Sequence, residues 1–75
     1  MINKLKEILF STTDVNRDIQ IDENTVILRD LGLNSLELIE VVCEVEDAFD
    51  IEIPDKKIKS IITIGDLINV IESEH

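Results

Sequence analysis

The chain has 75 residues, seven of them basic and seventeen acidic, for a net charge of −10. That balance argues against a partner made of nucleic acid, whose phosphates are held by Lys and Arg, and equally against an anionic membrane surface. One cysteine, Cys43, excludes an internal disulfide, and with His75 as the sole histidine there is no Cys/His set for a zinc site. Ile, Leu and Val dominate the apolar residues, and Phe10 and Phe49 are the only aromatics. Such a composition suits helices packed on helices around one small core, and residues 1–75 are read as a single domain. No hydrophobic run approaches a membrane span and no signal peptide is visible, so a cytoplasmic protein is expected.

Ile2, Leu5, Ile8 and Leu9 recur at helical spacing and predict an amphipathic helix over residues 2–13. Its expected role is packing. From Asp14 to Asn34 the pattern turns polar and irregular. Ile19, Ile21, Val26, Ile27, Leu28 and Leu31 are expected to pin this stretch to the core, with a short turn over Thr25 to Leu28. Asp14, Asn16 and Asp18 have the spacing that opens an EF-hand loop. The loop then fails at its two most demanding positions, with Ile19 where Gly must turn the chain and Thr25 where a bidentate Glu must close the site. A solvated acidic loop is the expected reading.

Asp30-Leu31-Gly32-Leu33-Asn34-Ser35-Leu36-Glu37 reads as a tight turn that opens a helix. Gly32 can supply a positive φ. Asn34 is the expected N-cap, and Glu37 three residues later completes a capping box. Ser35 is then the first helical residue, beside unpaired backbone N–H groups and the positive end of the helix dipole. An attached phosphate would sit where a helix favours an anion. By itself, a serine at a helix start is more often a cap than a reactive group.

The helix predicted over residues 35–49 has two apolar stripes. Leu38, Val41, Val42, Val45 and Phe49 form the expected core stripe. Leu36, Ile39 and Cys43 form a second, narrower one, among Glu37, Glu40, Glu44, Glu46 and Asp47. Periodicity leaves two readings level. The helix is central and packs on two sides, or the strip is exposed in an acidic field and docks a basic partner. Cys43 belongs to this strip as a small hydrophobe, and its acidic neighbours make it a poor nucleophile.

Asp50 to Pro54 connects to a short helix capped by Asp55 and running through Lys56, Lys57, Ile58, Lys59, Ser60 and Ile61. The lysines are the only basic cluster; they can pair with neighbouring acids or be solvated, and solvation is the expected reading. Thr63 and Asp66 form a second capping box, from which a final amphipathic helix runs to about residue 73. The expected fold is all-α, a small four-helix bundle of three main helices and one short one. The last residues, His75 included, are expected to fray. With no internal histidine, no Ser–His or Cys–His pair and no glycine-rich phosphate cradle, the chain offers poor material for an enzyme, and no metal site is expected.

Leu31-Gly32-Leu33-Asn34-Ser35-Leu36 with its acidic helix resembles the modification site of acyl carrier proteins and the wider carrier-protein family. The likeness continues through Phe49-Asp50-Ile51-Glu52-Ile53-Pro54-Asp55 and Thr63-Ile64-Gly65-Asp66-Leu67. The resemblance implies that a phosphopantetheinyl transferase uses coenzyme A to attach 4′-phosphopantetheine to Ser35. It implies that acyl groups then ride on the arm as thioesters. Leu36, Glu37, Ile39, Glu40, Cys43, Glu44 and Asp47 would face acyl-loading and acyl-processing enzymes with basic docking patches, and the chain would be a monomer. The aliphatic core suggests that an acyl chain inserts between helices. Fatty-acid synthesis, polyketide assembly, aminoacyl or peptidyl carriage and D-alanine transfer all use this fold, and the strong acidity favours a discrete acyl carrier. One departure is visible. The family usually has Asp before the serine, where it assists the modification complex and its metal ion, and here Asn34 stands. The alternative is an unmodified helical scaffold that acts only by protein–protein contact and does not need the Ser35 hydroxyl.

Overall fold

The structure, a computed structural model, describes residues 2–16 and 18–74. His75 therefore lies outside the described residues. Among them run five helices: α1 (Ile2–Thr12), α2 (Ile27–Leu31), α3 (Ser35–Phe49), α4 (Asp55–Ile58) and α5 (Ile64–Glu74). The three long helices are those expected from the periodicity, within a residue at each end. The short α4 stops at Ile58 rather than Ile61.

Each long helix turns one aliphatic stripe inward. Leu5 and Leu9 of α1, Val41, Val42 and Val45 of α3, and Ile64, Leu67 and Ile71 of α5 are fully buried together. Leu38 is buried with them, while Phe49 is half-buried at the edge of the core. α1 packs along α3. The connecting segments also contribute, through buried Ile21, Leu33, Ile53 and Ile61.

The fifth helix, α2, is the difference from the expected bundle. It has no side-chain N-cap and only five residues, too few to be stable alone. Its support is tertiary. The Ile27 N–H donates to the Ile62 carbonyl at 2.9 Å, and the Ile64 N–H donates to the Thr25 carbonyl at 3.0 Å. This isolated antiparallel bridge, Val26 to Thr63, clips the start of α2 to the start of α5. The Gly65 N–H donates to the Glu23 carbonyl at 2.9 Å, and a Cβ at Gly65 would lie 3.0 Å from that oxygen. Glycine permits this close approach. Ile27 and Leu31 are buried and Ile19 and Val26 half-buried as expected, but Leu28 points outward, 39% exposed.

The acidic loop uses its oxygens locally. Asn16 Oδ1 accepts the Asp18 N–H at 2.9 Å, and Asp22 Oδ1 accepts the Asn24 N–H at 2.8 Å. No three His, Cys, Asp or Glu residues converge among the described residues. Lys57 corrects the expectation of solvated lysines, because its ammonium pairs with the Glu74 carboxylate and ties α4 to the end of α5.

Two aspartates act as backbone acceptors. Asp66 Oδ2 accepts the N–H groups of Thr63 and Ile62 at 3.1 and 3.0 Å, and Thr63 Oγ1 accepts the Asp66 N–H at 3.1 Å, which is the expected capping box. Asp30 Oδ2 accepts the Val26 N–H at 2.8 Å. In both, backbone donors favour the charged carboxylate and hold its pKa below the ordinary value of 3.8. A carboxylate depressed in the folded chain stabilises the fold fully above the ordinary value and loses that contribution as pH falls through the lower folded value. Acid unfolding below about pH 4 is therefore expected to become shallower in Asp66→Asn, measured as the pH dependence of the urea midpoint. An unchanged acid slope would remove this account of Asp66.

Candidate functional site

The turn into α3 is built as its residues require. α2 ends at Gly32, whose φ of 68° lies in the left-handed region and whose N–H donates to the Leu28 carbonyl. A Cβ at Gly32 would meet nothing within 4 Å, so the demand for glycine comes from the backbone angle alone. Buried Leu31 and Leu33 anchor the turn on either side. Asn34 Oδ1 then accepts the Glu37 N–H at 2.9 Å, and Glu37 Oε1 accepts the Asn34 N–H at 3.2 Å. The capping box is complete, so the Glu37 carboxylate is committed to the cap before it can serve any partner.

Ser35 follows as the first residue of α3 and is exposed. Its hydroxyl makes no hydrogen bond among the described residues, which sets it apart from the other three serines. Ser11 Oγ donates to the Ile8 carbonyl at 3.1 Å, Ser60 Oγ to the Lys57 carbonyl at 2.7 Å, and Ser73 Oγ to the Val70 carbonyl at 3.0 Å. Ser11 and Ser73 are engaged by their own helical turns, and Ser60 by the turn that follows α4. The Ser35 hydroxyl is left to solvent at the electropositive end of the longest helix.

The second stripe of α3 faces outward. Leu36 is 65% exposed and Ile39 46%, and Cys43 is exposed below them. Of the two readings left level by periodicity, burial on both sides of the helix does not hold for this stripe. Glu40, Glu44 and Asp47 are exposed around it. Glu46 leaves that acidic field. Its carbonyl accepts the N–H groups of Asp50 and Ile51, and its carboxylate accepts the Ile53 N–H at 2.9 Å, so it fastens the loop after α3. Asp50, with φ of 55°, ends the helix in the left-handed region that glycine usually fills.

Beside Ser35 lies a groove of about 340 Å³ between α3 and the segment from α4 to α5. Its walls are aliphatic, with Leu38 and Ile39 on one side and Ile58, Ile61 and Ile62 on the other. Its two polar residues are Ser35 and Lys59. Leu28 and Ile62, the latter 59% exposed, also line it, so the exposed aliphatic residues extend from α3 across its mouth.

The phosphopantetheine attachment site family model matches residues 3–71. The chain is 37% identical to the acyl carrier protein of Lactobacillus acidophilus over 97% of this chain and 90% of that one. It is 37% identical to the acyl carrier protein of Sulfurovum, over 97% of this chain and 96% of that one. This chain belongs to the acyl carrier protein family. The crystal structure of the acyl carrier protein from Thermotoga maritima agrees in fold, with a TM-score of 0.86 and 29% identity over 97% of this chain and 84% of that one.

The family's group is 4′-phosphopantetheine, and the residues at the start of α3 fit it. The fit rests on an exposed hydroxyl without a competing hydrogen bond and on unpaired backbone N–H groups that suit a phosphate. Among the described residues no helix is long and apolar enough to cross a membrane. Two features around Ser35 are not legible in the sequence of this acyl carrier family member. The groove requires knowing which of α3's stripes is buried. The placing of Lys59 on its wall requires the bend between α4 and α5, and no local signal encodes that.

Proposed function

We propose that Ser35 carries 4′-phosphopantetheine and that the chain delivers acyl groups to partner enzymes without catalysing a reaction itself. The observation that carries this reading is the free, exposed Ser35 hydroxyl at the start of α3, in a chain of the acyl carrier family. In the modification, the Ser35 Oγ–P bond forms as the pyrophosphate bond of coenzyme A breaks. The hydroxyl proton passes to a base of the transferase, and adenosine 3′,5′-bisphosphate leaves. When attached, the group supplies a flexible arm whose thiol holds acyl groups as thioesters.

The chain's own residues present that arm. Asn34 and Glu37 hold the first turn of α3, and Gly32 sets the angle at which the chain enters it. Leu36, Ile39, Glu40, Cys43, Glu44 and Asp47 form an exposed aliphatic strip with an acidic border, which suits a partner with a basic patch around an apolar centre. The transferase and the acyl-loading and acyl-processing enzymes are partners of this kind, met by a monomeric chain in the cytoplasm. The aliphatic groove beside Ser35 favours hydrocarbon cargo of fatty-acid or polyketide type, with room to shelter an acyl chain between α3 and α4. Aminoacyl cargo would gain little from such walls.

Asn34 tests how the transferase reads this site. Asn and Asp cap helices equally well, so Asn34→Asp is expected to leave helicity unchanged while adding a carboxylate next to Ser35. Modification by a metal-dependent transferase is expected to be faster in Asn34→Asp, measured as initial rates of coenzyme A consumption. Equal rates would show that the amide is no handicap.

A further inference from the structure

We propose that Lys59 pairs with the phosphodiester on Ser35 and so directs the arm across the apolar groove toward α4. This rests on Ser35 being the attachment point. The groove has two polar residues, the serine that takes the phosphate and one cation on its wall. Lys59 also lines the neighbouring groove with Ile39, Asp55 and Ile58, so it stands opposite the exposed strip of α3.

Charge makes the pairing directional. A phosphodiester adds a negative charge to a chain already at −10. On one side of Ser35 runs the acidic field of Glu40, Glu44 and Asp47 along α3, which repels it. On the other side stands Lys59. Among the described residues, Arg29 pairs with Asp30 and Lys57 with Glu74, while Lys4 and Lys6 lie on α1. Lys56, exposed on α4, adds to the same positive edge without lining the groove. Asp55, four residues before Lys59, is the acid nearest to it in the sequence on α4, yet no ion pair joins the two. The ammonium is therefore available to an incoming anion. The pair is solvent-exposed, so its energy is small and salt-dependent, but a small bias suffices to choose between two directions for a flexible arm.

The test compares the apo chain with the chain carrying 4′-phosphopantetheine and no cargo, made with coenzyme A and a broad-specificity transferase. Nuclear magnetic resonance at pH 7 follows the lysine Cε–Hε signals, the phosphorus signal and the Ile39 and Ile62 methyl groups. On attachment, Lys59 is expected to shift more than any other lysine, and most of that shift should vanish at about 1 M salt, where the Debye length is about 3 Å. In Lys59→Gln the phosphorus signal should move and the methyl shifts caused by attachment should shrink, while Lys56→Gln leaves both as they are. A Lys59 response no larger than that of Lys56, or one indifferent to salt, overturns the proposal. Intact mass separates the two levels of failure. A chain that gains the arm but shows no Lys59 response loses this inference alone, whereas a chain that never gains it loses the attachment reading as well.

Discussion

Ser35→Ala is expected to abolish attachment of the arm completely while leaving the fold unchanged. The Ser35 hydroxyl is exposed and makes no hydrogen bond among the described residues, and alanine is the best helix former, so the stability change is expected to stay within about 0.5 kcal/mol. The cap survives, because both of its hydrogen bonds belong to Asn34 and Glu37. Loss of function in cells with unchanged circular dichroism and urea midpoint is the expected pattern. A Ser35→Ala chain that still supports growth in place of the wild type would favour the unmodified scaffold, for which the hydroxyl has no use. An unfolded variant would show instead that Ser35 is a structural residue, against the geometry of the turn.

The second large effect is expected at Ile27. Its side chain is fully buried although it belongs to a helix of five residues. Truncation to alanine removes apolar contacts and leaves a cavity, at a cost of about 2–5 kcal/mol. A core of this size supplies only about 3–5 kcal/mol in total, so Ile27→Ala is expected to be largely unfolded at room temperature. Leu28→Ala, one residue on and facing solvent, should change stability by no more than about 0.5 kcal/mol. The contrast is read by urea denaturation. A loss below about 1 kcal/mol in Ile27→Ala would mean that α2 lies outside the cooperative unit, and that the bridge from Val26 to Thr63 does not hold it there.

These two residues mark the divide between what was legible in the sequence and what was not. Ser35 sits among strictly local signals. Gly32, Asn34 and Glu37 specify a turn and a capping box within six residues, and the structure reproduces both. The same holds for Thr63 and Asp66 at the start of α5. The core stripes of α1, α3 and α5 follow helical periodicity, so their burial was legible as well. Ile27 belongs to the other kind. Val26 at the N-cap position has no side chain to cap α2, and the bridge that holds the helix in place comes from residues more than thirty positions away. Periodicity is also silent on the burial of Leu36, Ile39 and Cys43, since an outer stripe and a second buried stripe have the same spacing. Only the packing of the other helices on α3 decides that this one is exposed. Lys57 and Glu46 differ from expectation for a related reason. Their partners, Glu74 and the N–H of Ile53, are brought to them by tertiary bends.

The charge pattern acquires a direction in the same way. From composition, an acidity of −10 speaks only of solubility and of basic partners. In the fold, Lys59, just after α4, stands on the wall of the groove beside Ser35, while Glu40, Glu44 and Asp47 are exposed along α3.

The attachment of the arm to Ser35 is tested most directly by mass spectrometry of the wild-type chain after incubation with coenzyme A and a broad-specificity phosphopantetheinyl transferase. The expected result is a gain equal to one phosphopantetheine, which fragmentation places on Ser35 and not on Ser11, Ser60 or Ser73. No gain from either the wild type or Asn34→Asp, or a gain located on another serine, would contradict it.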